Sequence, residues 1–93
     1  MPLGSLSELK QTDEEVNELV SKIKKDFEES NYKTNKFKAL NYKIQIVNGT
    51  NFFIKIETDK EHVHLRVYKS LSGELDYNSS KLNKKMDDEI IYF

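Results

Sequence analysis

His62 and His64 stand two residues apart in HVHLRV, where apolar and polar residues alternate. On a β-strand that spacing sends both imidazoles to one face. Paired imidazoles can hold a metal ion or move protons near neutral pH. No third ligand stands at metal spacing and Arg66 shares the face, so the pair reads as two solvent-facing histidines. Asp87, Asp88 and Glu89 offer carboxylates, but acid–base work needs a cleft that shifts a pKa. Three acids beside the apolar ending IIYF read as a solvated patch. Cysteine is absent, which removes a thiolate nucleophile, a Cys-based zinc site and any disulfide. No Ser or Thr stands in a spacing that suggests a nucleophile partnered by histidine, and three glycines are too few for a phosphate-cradling loop. An enzyme is not expected, nor is a cofactor or a metal.

The glycines are more informative than their number. Gly4, Gly49 and Gly73 each follow an apolar residue closely, in Leu3–Gly4, Val47–Asn48–Gly49 and Leu71–Ser72–Gly73. Ordinary turn chemistry accounts for any one of them. Val47 fits that account less well, because it stands directly before an Asn–Gly hairpin signal, where side chains meet water. Strand phase places Ile46 with the core-facing set and Val47, together with Gln45, on the outward face. An apolar residue on the outer face of a hairpin tip is a candidate contact residue.

These residues need elements to hold them. Residues 1–11 have no period and read as an extended arm. Thr12 stands three residues before Glu15, a capping-box spacing, and apolar residues then recur at Val16, Leu19, Val20, Ile23 and Phe27. Steps of three and four mark one face of an α-helix, expected over 12–33. From Lys38 the period becomes two: Leu40, Tyr42, Ile44 and Ile46, then Phe52, Ile54 and Ile56, then Val63, Leu65 and Val67. Leu75 and Tyr77 could begin a weaker fourth strand. One helix stripe and a single-faced sheet predict an α+β domain, 1–93, with the sheet packed over the helix and residues 37–93 forming the sheet and a C-terminal tail. Meander connections put the turns at Asn48–Gly49 and Ser72–Gly73 side by side at one end, with the turn near Asp59 at the other.

Composition limits the partners. The 93 residues carry a net charge of −1, with 33% charged residues of both signs. Such a surface exerts no general pull on nucleic acid or anionic lipid, so neither is an expected partner. The start, MPLGSLSELK, lacks the apolar stretch of a secretory signal, and zero cysteine in so small a domain favours the cytosol, with leaderless export as the other route.

QIVNG, residues 45–49, resembles the QxVxG signature of the cystatins, inhibitors of papain-like cysteine proteases. The resemblance runs along the chain: the glycine of MPLG, the helix, LNYKIQIVNGTNFFIKI, HLRVYKSL and the ending DDEIIYF all look like the stefins, the type 1 cystatins. It implies a helix wrapped by an antiparallel sheet of four to five strands. It also implies reversible, tight-binding, competitive inhibition of papain-like proteases such as cathepsins. An apolar wedge would enter the protease cleft, made of an arm (Pro2, Leu3, Gly4), a first hairpin (Gln45, Ile46, Val47, Asn48, Gly49) and a second hairpin (Leu71, Ser72, Gly73). Asn48 stands where alanine is frequent in the family and Ser72 where proline is common, two departures that bear on the shape and stiffness of the tips. A monomer is expected. If the first hairpin opened, two chains could exchange the arm, helix and first long strand, forming a dimer without the tip. The competing readings are a non-inhibitory binding module on the same fold and, more distantly, a small hydrolase using His62 or His64.

Overall fold

The computed structural model describes residues 5–93. Its elements are β1 (Lys10–Gln11), α1 (Glu14–Ser30), β2 (Phe37–Val47), β3 (Gly49–Thr58), β4 (His62–Lys69) and β5 (Leu75–Lys84). The strands form one antiparallel sheet in the order β1-β2-β3-β4-β5. No described helix is long and apolar enough to cross a membrane.

The helix buries the stripe that its period predicts: Val16, Leu19, Val20, Ile23 and Phe27. These meet Tyr42, Phe52, Ile54, Ile56, Val63, Leu65 and Val67 from the sheet. The helix starts one residue later than the Thr12 signal implies. Asp13 is the N-cap, and its carboxylate accepts from the Val16 N–H at 2.9 Å and from the Tyr42 hydroxyl at 2.9 Å. One side chain thus caps the helix and fastens it to β2, a pairing that Thr12 lacks in this structure. The Val16 N–H, and after it the Tyr42 hydroxyl, hold the Asp13 carboxyl below its ordinary pKa. Burial, and then the Asp13 hydrogen bond, push the Tyr42 hydroxyl up to about 12. Removing an N-cap acid costs about 1 kcal/mol. In a domain of this size Asp13→Ala should therefore lower Tm by about 4–8 °C in a thermal melt.

Two features of the sheet differ from the sequence reading. The β2–β3 register slips between Ala39 and Asn41, so Leu40 is the extra residue of a bulge. Phe37 and Ala39, instead of Leu40, then share the core face with Tyr42 and Ile44. Second, the outer face of the sheet is solvated only in part. Residues 85–93 cross it, anchored by Lys55 Nζ donating to the Met86 carbonyl at 2.5 Å and Lys43 Nζ to the Ile90 carbonyl at 2.8 Å. Phe53 packs between Tyr92 and Phe93, with ring centroids 5.7 and 5.5 Å away. Arg66 Nη1 donates to the Phe93 carbonyl at 2.5 Å. β3 is therefore buried on both faces from Asn51 to Ile56. His64 is fully buried beneath this cover, so the expectation of two solvent-facing histidines is corrected for His64, while His62 stays partly exposed.

Candidate functional site

The chain reverses at Asn48, with Val47 opposite Gly49 and Ile46 opposite Thr50. Gly49 has φ +113°, a left-handed backbone that a side chain adopts only with strain. It also has no room for one: a Cβ there would lie 2.5 Å from Tyr68 Oη and 2.7 Å from the Lys69 carbonyl oxygen. Glycine at this position thus allows both the turn and a close approach of β4.

Exposure at the tip departs from strand phase. Ile46 is 62% exposed and Val47 38%, whereas Gln45 is only 5% exposed. Ile46 therefore does not return to the core. Tyr42 sits at the first turn of the helix through Asp13. Ile46 stands four residues further along β2, about 13 Å from that contact at ~3.4 Å per strand residue. Gln45 is buried at its place in the ladder, where its Oε1 accepts from Asn51 Nδ2 at 2.7 Å. It braces the hairpin from within, and the exposed apolar surface belongs to Ile46 and Val47 together.

The second tip follows β4. Leu71 is 81% exposed. Ser70, a residue the sequence reading passed over, organises the turn. Its N–H donates to the Glu74 carbonyl at 2.8 Å, its carbonyl accepts from the Gly73 N–H at 3.0 Å, and its hydroxyl accepts from the Glu74 N–H at 3.0 Å. The Ser70 and Ser72 hydroxyls lie 3.0 Å apart. Gly73, at φ +93°, completes the reversal with open space around it.

The tips lie side by side, as the meander requires: Thr50 pairs with Lys69, and the Tyr68 hydroxyl donates to the Asn48 carbonyl. The arm reaches the same edge. Lys10 and Gln11 pair with Tyr42 and Asn41, while the Ser7 N–H donates to the Ile44 carbonyl at 2.8 Å and the Ile44 N–H to Ser7 Oγ at 2.9 Å. Followed back toward its start, the arm runs along β2 toward Ile46. Pro2, Leu3 and Gly4, the expected arm contacts, lie outside the described residues.

The edge carries no charge on Ile46, Val47, Asn48, Leu71 or Ser72, so its side chains can leave water without stranding an ion. The nearby Lys69–Glu15 pair, at 2.9 Å, is exposed and contributes little to stability. Neither histidine faces the edge: His62 pairs with Glu57 at the far end of the sheet, and His64 is under the tail segment. No group of three or more metal-ligating side chains occurs among the described residues. Chemically, the edge can bury apolar surface in a groove; it has no arrangement for bond-making.

Residues 4–89 match the Cystatin domain family. Cystatin-A2 of Dictyostelium discoideum is 40% identical over 93 residues, spanning 98% of this chain and 97% of the relative. Cystatin-A of Homo sapiens is 40% identical over 95 residues, spanning 97% of each. Cystatin-B of Macaca fuscata fuscata is 38% identical over 98 residues, spanning the whole of both.

Proposed function

The chain belongs to the cystatin family, with stefin-type relatives along nearly its whole length, and on that premise we propose that it inhibits papain-like cysteine proteases by filling their cleft. The observation that carries this reading is the convergence of Ile46, Val47 and Leu71, exposed apolar residues from two hairpins, on one uncharged edge. The tips are fixed by turn hydrogen bonds before any partner arrives, so docking orders little chain. Inhibition is competitive and reversible, since the inhibitor supplies no reacting atom. Val47 and Ile46 enter on one side of the catalytic thiol and Leu71 on the leaving-group side. Leu3 anchors the arm in the non-primed subsites, and Gly4 turns the chain away before a peptide bond reaches the nucleophile. Cathepsins in contact with the cytosol are the expected targets, and the monomer is the inhibitory form.

Titrating the protein into active papain tests this reading. The wild type should remove activity stoichiometrically. Burying a side chain such as valine contributes about 1.5–3 kcal/mol, so Val47→Asp should weaken inhibition by about 10- to 100-fold or more. Deleting Met1–Gly4 should weaken it by a factor that differs between proteases, because each pocket rewards the arm differently. Unchanged inhibition constants for both variants would remove the wedge assignment. No loss of papain activity with the wild type would leave a binding module on the cystatin fold.

A further inference from the structure

Tyr68 sits outside every residue assigned to the wedge. It lies in β4, opposite Asn51, two residues before Ser70 begins the second turn. Its ring occupies the space that glycine leaves open at position 49: a Cβ there would meet Tyr68 Cε1 at 2.8 Å as well as its hydroxyl. The hydroxyl donates to the carbonyl of Asn48, the residue at which the first hairpin reverses. That carbonyl stands between the paired residues Val47 and Gly49, so it has no place in the β2–β3 ladder. We infer that Tyr68 is a positioning residue for the inhibitory edge, fastening the first hairpin tip to the strand that leads into the second. The inference rests on the inhibitor reading for its consequence, though not for the tether itself.

The β3–β4 pairing runs only as far as Thr50, so Asn48 and Gly49 beyond it are held by the hairpin's own ladder. Tyr68 adds a contact from outside that ladder. It couples Ile46 and Val47 to Leu71 through one side chain, so the two apolar tips keep a fixed separation. Gly49 and Tyr68 act as a matched pair: the missing Cβ makes the seat and the ring fills it. A phenylalanine could take the same seat but would leave the Asn48 carbonyl to water. The tip would then have to be ordered on docking, and the loss would appear mainly as faster release.

Tyr68→Phe tests the tether, since it keeps the ring against Gly49 and removes one oxygen. Three measurements are made on the full chain: dissociation rate from papain, amide exchange at Gly49 and the carbonyl carbon resonance of Asn48. Loss of a single net hydrogen bond predicts about three- to tenfold faster dissociation, together with a Tm lower by about 4–8 °C in a domain of this size. Gly49 exchange should accelerate and the Asn48 carbonyl resonance should move, while resonances in the helix stay in place. Wild-type values for exchange and the carbonyl resonance would overturn the tether. An altered resonance with an unchanged dissociation rate would overturn its role in positioning. Failure of the wild type itself to inhibit would overturn the inhibitor reading and, with it, the positioning role, while exchange and the resonance still decide the tether.

Discussion

Gly49→Ala should raise the inhibition constant against papain by about 100-fold or more, the largest effect expected of any single methyl group in the chain. Two penalties coincide there. The backbone has φ +113°, which costs a side-chain-bearing residue roughly 1–3 kcal/mol. The added Cβ also falls 2.7 Å from the Lys69 carbonyl oxygen, which is backbone in a strand paired to this hairpin through Thr50. The Tyr68 hydroxyl, 2.5 Å from the same point, could swing aside, but the Lys69 carbonyl moves only if β4 or the tip moves. Either movement displaces Val47 relative to Leu71. Each 1.4 kcal/mol is a factor of ten, so strain and displacement together reach two orders of magnitude. Gly73→Ala is the control. It carries the same class of strain, at φ +93°, with nothing within 4 Å of the new Cβ. It should lose less than Gly49→Ala does, because it carries the backbone strain without the displacement of a neighbouring strand. Inhibition assays with both variants, paired with thermal melts, separate the terms. Equal losses for the two would show that the close approach at Gly49 is unimportant.

The second large effect concerns pH. His64 is fully buried, and neither ring nitrogen has a hydrogen-bond partner among the described residues. Burial above all, then the charges of Lys55 and Lys84, push its pKa down to about 4; Asp88 opposes the shift and His62 adds weakly to it. In the unfolded chain an ordinary histidine titrates near ~6.5. Between those values the unfolded state binds the proton and the folded state does not, so stability falls as pH falls. The contribution is complete above about pH 7 and is lost as the pH drops through the window from ~6.5 to 4, a total of about 3 kcal/mol at ~1.4 kcal/mol per unit. Asp13, Glu57 and Asp88 have lowered pKa values, so their contributions are lost at more acidic pH, as they protonate. Urea unfolding of the wild type and His64→Leu at pH 7.5, 6, 5 and 4 isolates the histidine. The wild type should show a slope between pH 6.5 and 4.5 that the variant lacks. Parallel curves would place His64 in a hydrated environment and remove the prediction. The cover of residues 85–93 rests on Lys43 and Lys55 as well as on Phe53, so its edge is where protonation of His64 should first loosen the fold.

The family resemblance and much of the fold were legible in the chain itself. A period of 3.6 from Val16 to Phe27 reports one buried face, and the helix buries those residues because a straight helix keeps them on one side. The Asn–Gly and Ser–Gly pairs mark reversals because glycine accepts positive φ, and antiparallel alternation then places the reversals at one end. QIVNG is a local signature and needed no fold to be read. Tertiary structure decided which faces are covered. Alternation says that a strand has two kinds of face but not that a distant segment will roof the polar one, and so Lys55 and His64 are buried where period two suggested solvent. A bulge at Leu40 resets the phase of β2, and Ile46 is exposed although its phase is that of the core face. Gln45 faces Asn51 through the register of one hairpin, whereas Tyr68 reaches Asn48 only because β4 lies in register beside β3. Periodicity is set by the geometry of one element, whereas burial is set by what another element lays against it, and that depends on contacts the local pattern does not carry.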